Sequence, residues 1–222
     1  SAASDVYKRQ YIYHKMPNRL DAEEKSIMEG GTHWIDRFGE EGYGGGVVTG
    51  LYKKELLLKS GVKFPEKILY EDNYWVAILM LYVKRYFHLA EDLYHYRQRE
   101  DSTVHKKNAM HHVDRLAIEE MKLKTYHDLH IYERYREIIE QDFLREYYCR
   151  TLLTMLVKYD NSPYDVFCHM NRRVMELYPD YKKTELAQNE GIGKILLGLI
   201  DRDLDEVQFM EIKKIILSYY GR

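Results

Sequence analysis

Cysteine is nearly missing from this chain. Cys149 and Cys168 are the only two in 222 residues, and they do not form a Cys-x-x-Cys pair. Isolated cysteines fit a reducing compartment, exclude a disulfide-stapled scaffold and give no zinc motif, so a cytoplasmic location is expected. A dominant charge is lacking too. Lys and Arg number 34 against 36 Asp and Glu, a net charge of -2, which leaves no bulk positive field for nucleic acid. Long apolar runs are also absent. The longest, residues 76–83, falls far short of the ~20 residues that a spanning helix needs, and no signal-peptide pattern opens the sequence. No transmembrane segment is therefore expected. Phenylalanine is scarce, 6 residues against 22 tyrosines. Tyrosine carries a polar tip on an apolar body, so it suits half-buried helix faces and sugar-facing surfaces equally. Neither an internal repeat nor a low-complexity tract is present.

What the chain does have is enough hydrophobic content, 45%, for a genuine core. Residues 11–41 show no sustained period beyond a short helical stretch around Thr32–Phe38. The breaker cluster Gly42-Tyr43-Gly44-Gly45-Gly46 leads into Val47-Val48-Thr49-Gly50-Leu51-Tyr52, whose β-branched start predicts a short strand. Lys53–Ser60 reads as a helix closed by Gly61. A second helix opens near Tyr70 with Glu71 and Asp72 in its first turn, where the helix dipole favours negative charge. Trp75, Ile78, Leu79 and Tyr82 then recur at helical spacing and predict one buried face. Tyr86–Ala90 and Leu93–Arg97 read as extended segments around Glu91-Asp92.

Beyond Lys106 the sequence reads as helical almost to its end. Met110, Val113, Ala117 and Met121 form one stripe, continued by Tyr135, Ile138, Ile139, Leu152 and Met155. Asn161-Ser162-Pro163 predicts a capped helix start, Phe167, Met170, Val174 and Leu177 its buried stripe, and Tyr178-Pro179 its stop. Asp203 is the expected cap of a last helix carrying Val207, Met210, Ile215 and Leu217.

Three segments stand in a telling order: Gly61-Val62-Lys63-Phe64-Pro65-Glu66, then Tyr70-Glu71-Asp72-Asn73-Tyr74-Trp75, then Tyr94-His95-Tyr96-Arg97-Gln98-Arg99. With Leu51-Tyr52-Lys53-Lys54-Glu55-Leu56 upstream and Ser102-Thr103 downstream, this stretch from about Val47 to Val104 resembles the acceptor half of a family 2 glycosyltransferase. Glu-Asp pairs are common, and only the order and spacing together are specific. The resemblance implies an inverting transferase that moves a sugar from a nucleotide-sugar donor to a hydroxyl of a sugar or lipid-linked acceptor, in the synthesis of a surface polysaccharide or glycolipid. It further implies an α/β remnant of the GT-A fold over residues 11–105, followed by a mainly α-helical domain over 106–222. Peripheral association with the inner face of the membrane stays open.

By this resemblance Asp72 is the matching catalytic base. A carboxylate suffices there, because the acceptor hydroxyl becomes acidic only as it attacks the anomeric carbon. The plainer alternative makes Asp72 a first-turn helix acid. Glu71 either orients the acceptor or caps the helix; Trp75 either stacks on a sugar or packs in the core. Arg97 and Arg99, with His105, either contact the departing diphosphate or are solvated loop charges, and Lys53 and Lys54 carry a similar ambiguity. A divalent cation, Mg or Mn, belongs to the family's Asp-x-Asp motif, which has no counterpart at the right position here. Asp201-Arg202-Asp203 and Asp203-Leu204-Asp205 lie near the end of the sequence in a helical context.

Residues 1–10 carry a second resemblance. Asp5–Gln10 is the translation of GAT GTG TAT AAG AGA CAG, which is similar to a transposon end used in sequencing libraries, so this leader is set aside from fold reasoning. With no initiator Met and no nucleotide-binding half before Tyr11, the chain is expected to be the C-terminal part of a longer enzyme and inactive alone. Neither Gly42-x-Gly44 nor Gly191-Ile192-Gly193-Lys194 completes a phosphate-binding fingerprint. His111-His112 and the pair His127 and His130 are expected to be exposed helix residues. The rival from another class is a non-catalytic helical module for protein interaction, in which residues 70–75 are ordinary helix-start chemistry.

Overall fold

The computed structural model describes residues 28–29, 47–86, 102–103 and 106–219. It divides the chain into two compact units, Ser1–Pro65 with Glu71–Lys106 and Glu66–Tyr70 with Lys107–Arg222.

In the first unit, β1 (Met28–Glu29) is followed by a 3-10 turn at Val47–Thr49, α1 (Lys54–Ser60), α2 (Glu71–Met80) and β2 (Arg85–Tyr86). α1 ends as its sequence requires: Gly61 takes a left-handed backbone with φ 66°, which glycine adopts without a Cβ clash. α2 buries every residue from Trp75 to Met80, and its core is Trp75, Val76, Leu79, Met80 and Val83. Val47, Tyr52, Leu56, Leu57 and Val62 pack against this cluster. The expected single buried face is thus a wholly buried second half of the helix, and Tyr82, expected inside, is 42% exposed.

The expected α/β remnant of a GT-A fold is overturned here. Val47–Thr49 is a 3-10 turn closed by Gly50 N–H donating to the Val47 carbonyl at 3.1 Å, not a strand. Among the described residues the only ladder is two residues long: Met28 faces Tyr86 and Glu29 faces Arg85, antiparallel. A nucleotide-sugar fold rests on parallel strands with crossover helices, and the described residues form none. The extended segments expected after Tyr86 lie outside the described residues.

The second unit is helical, as expected for this part. It comprises a 3-10 turn at Met110–Val113, α3 (Arg115–Asp128), α4 (Arg136–Phe143), a π-helical segment (Leu144–Arg150), α5 (Thr151–Lys158), α6 (Tyr164–Leu177), a 3-10 turn at Tyr181–Lys183, α7 (Glu185–Gln188), α8 (Ile192–Leu197) and α9 (Glu206–Tyr219). α4, the π segment and α5 run on as one rod, against which α3, α6 and α8 pack. Within the π segment Tyr147, Tyr148 and Cys149, three consecutive residues, all turn inward. Tyrosine builds much of this core. Tyr126, Tyr147 and Tyr148 are among its largest fully buried side chains, and Tyr148 donates to Asn171 Oδ1 at 2.7 Å. Phe143 stacks on Tyr147 with ring centroids 4.5 Å apart, and Phe167 on Phe209 at 4.4 Å.

Three sequence expectations shift in register. The α3 stripe is displaced: Met110 is 66% and Met121 36% exposed, while Arg115, Ile118, Glu119, Lys122, Leu123 and Tyr126 face inward. At the start of α6, Pro163 itself holds the cap position, and Ser162 donates to the Met155 carbonyl instead. The last helix is capped by Asp205 rather than Asp203. Asp205 Oδ1 accepts from Gln208 N–H at 2.8 Å while Gln208 Oε1 accepts from Asp205 N–H at 3.0 Å, a reciprocal capping box. Its buried residues are Phe209, Lys213 and Ile216, and Val207 and Ile215 stand outside.

Candidate functional site

The Glu71-Asp72 pair lies where the sequence puts it, at the first two positions of α2. The opening N–H groups of a helix have no partner within it. One of them, on Asn73, donates to Asp72 Oδ1 at 3.0 Å. Glu71 and Asp72 are both half-buried. Trp75, about one turn on, anchors the helix. Its ring lies 4.7 Å from Phe64 at an interplanar angle of 6°, and Tyr52 meets it edge-on at 5.1 Å. At 5% exposure Trp75 is placed as a core residue, with no face left open for a sugar to stack on.

The residue just before the pair is also constrained. Tyr70 has φ 64°, a left-handed conformation costly for an aromatic side chain. Within its own unit two contacts offset that cost. The Arg115 guanidinium lies 4.4 Å from the centre of the Tyr70 ring, and Leu69 N–H donates to Asp114 Oδ2 at 3.0 Å.

Of the other expected site residues, Arg97, Arg99 and His105 lie outside the described residues. Lys53 and Lys54 are exposed, Lys53 as the extended residue before α1. No group of three or more His, Cys, Asp or Glu among the described residues is arranged to hold a metal ion. Asp201, the first acid of its Asp-x-Asp string, accepts from Tyr181 and pairs with Lys182, which lowers its pKa. That string sits in the turn between α8 and α9. Gly193 is a packing glycine, since a Cβ there would meet Leu186 Cδ1 at 2.6 Å. Among the described residues no helix is long and apolar enough to cross a membrane. His112, expected to be exposed, is 2% exposed and packs edge-on against Tyr159 at 6.0 Å. His127 stacks on Tyr132 at 4.1 Å.

A second cluster was not anticipated from the sequence. Lys122 donates to Glu119 Oε2 at 2.8 Å and to Asp142 Oδ2 at 2.9 Å, joining α3 to α4 in the interior. Burial pushes the Glu119 carboxyl up to about 7 despite the pull of Lys122, and Asp142 adds to the shift. Lys122 is held above its ordinary value by Asp142 and Glu119, which outweigh its burial. The signal was present but easily misread: Arg115, Glu119 and Lys122 share the helical face of Ile118 and Tyr126. Charge on a stripe ordinarily marks solvent.

No family model, curated protein or solved structure matches the chain.

Proposed function

We propose that this chain carries the acceptor-side base of an inverting family 2 glycosyltransferase, with Asp72 as that base. The reading rests on the ordered motifs around residues 61–103. The observation that carries it is the start of α2 at Glu71, with Asp72 braced by the Asn73 N–H. A helix rooted in the core by Trp75 can fix the direction of a carboxylate in its first turn. In the step itself the acceptor oxygen bonds to the anomeric carbon as the bond to the donor diphosphate breaks on the opposite face. The hydroxyl proton passes to the Asp72 carboxylate, and the diphosphate leaves with its electron pair. Glu71 orients the acceptor. The donor is a nucleotide-sugar and the acceptor a sugar or lipid-linked alcohol. No described residue is assigned to the donor nucleotide or to a cation.

The test is sugar transfer by the protein from the complete reading frame, as wild type and as Asp72→Asn. A positioned general base contributes about a hundredfold or more, so turnover is expected to fall by at least that factor with the fold intact. Unchanged turnover would favour a helical interaction module instead.

A further inference from the structure

We propose that the buried Glu119–Lys122–Asp142 triad is a proton-operated brace: with Glu119 protonated α3 stays seated on the α4–π rod, and loss of that proton loosens the contact. One ammonium serves two carboxylates here, at 2.8 and 2.9 Å, with side chains only 8% (Lys122), 2% (Glu119) and 14% (Asp142) exposed. The remaining charges around Glu119 do not complete its shell. Glu146 of the π segment adds a third negative charge nearby. Arg115, one turn before Glu119 on α3, is buried, and its Nε and Nη1 make no hydrogen bond. Glu119 Oε1 likewise has no partner. Arg145 and Arg150 lie on the more open side, 4.0 Å from Asp142 and 3.3 Å from Glu146. An ionised Glu119 therefore has one bonded oxygen and one buried bare oxygen, facing two further carboxylates. Keeping a proton on it is the cheaper state in the fold.

The direction of the pH effect follows. Glu119 goes from an ordinary 4.5 to about 7 on folding, so the folded state holds a proton that the unfolded chain has released. The stability this supplies is complete below about 4.5 and is lost as pH rises through about 7. This is opposite in sign to a carboxylate stabilised by a salt bridge. The element it governs is the π segment Leu144–Arg150, which packs on α3.

The experiment follows the Glu119 side-chain carboxyl by 13C NMR in glutamate-labelled full chain from pH 4 to 9. Thermal unfolding is measured in parallel for wild type and Glu119→Gln, together with amide exchange over 144–150 corrected for intrinsic rate. The expected result is a Glu119 midpoint near neutrality that moves down in Asp142→Asn. Exchange should be at least about tenfold faster in wild type at pH 8.5 than at pH 5.5, one pKa unit being a factor of ten. Glu119→Gln should abolish that difference. A Glu119 midpoint at the ordinary carboxylate value, or wild-type and Glu119→Gln melting curves that run parallel with pH, would overturn the brace. Should Glu119→Gln not fold, the wild-type titration decides alone.

Discussion

Trp75→Ala is expected to cost the first unit roughly 3–5 kcal/mol, the range for deleting a large buried aromatic side chain. The ring is 5% exposed and contacts Phe64 face to face and Tyr52 edge to face. Its removal opens a cavity at the point where α2 meets Val47, Leu56, Leu57 and Val62. Whole domains are stable by only about 5–15 kcal/mol, so a loss of this size takes most of the margin. A urea titration should show a lower midpoint, and Trp75→Phe, which keeps a ring against Phe64, should recover a large part of it. If Trp75→Ala instead kept its stability and only weakened acceptor binding, the ring would belong to a sugar platform after all.

Lys122→Met is expected to destabilise the second unit by about 3–5 kcal/mol, because removing one partner of a buried ion pair leaves the others uncompensated. Glu119 and Asp142 would face each other in the interior without the ammonium that joins them. Lys122 lowers the Glu119 pKa, so its loss sends Glu119 further up and keeps it protonated over a wider range. The penalty should consequently be greatest above neutral pH and smaller under acid conditions. Adding Glu119→Gln to Lys122→Met should restore part of the stability, since a neutral pair of similar volume needs no counter-charge. Equal penalties at pH 5.5 and 8.5, with no recovery in the double variant, would contradict this description of the triad.

Punctuation was legible in the sequence where one residue's chemistry decides the backbone. Gly61 ended α1 and Glu71-Asp72 opened α2 because left-handed geometry and the helix dipole act locally. Val47-Val48-Thr49 misled for the converse reason. β-branched residues favour strands only where a neighbouring strand receives them, and here the segment closes a turn from which Val47 packs against the core cluster. The α3 and α9 stripes were misread because Arg115, Glu119, Lys122 and Lys213 are buried charges on faces that patterning assigns to water. Asp205 won the last cap from Asp203 through Gln208, three residues on, a pairing visible in the sequence. The π segment, which buries Tyr147, Tyr148 and Cys149 in succession, has no such signature. At the candidate site, the sequence places Asp72 and is compatible with Trp75 in the core or against a sugar. No local pattern could show that Phe64 and Tyr52 would enclose the ring.

Chemical rescue tests the role of Asp72 most directly. On the proposed reading, in the protein from the complete reading frame, Asp72→Ala removes the carboxylate and leaves room where added formate can take the acceptor proton in its place. Transfer by Asp72→Ala should fall at least about a hundredfold and rise again with formate concentration, while wild type stays insensitive to formate. Transfer by Asp72→Ala at the wild-type rate without formate would show that the acceptor proton goes elsewhere.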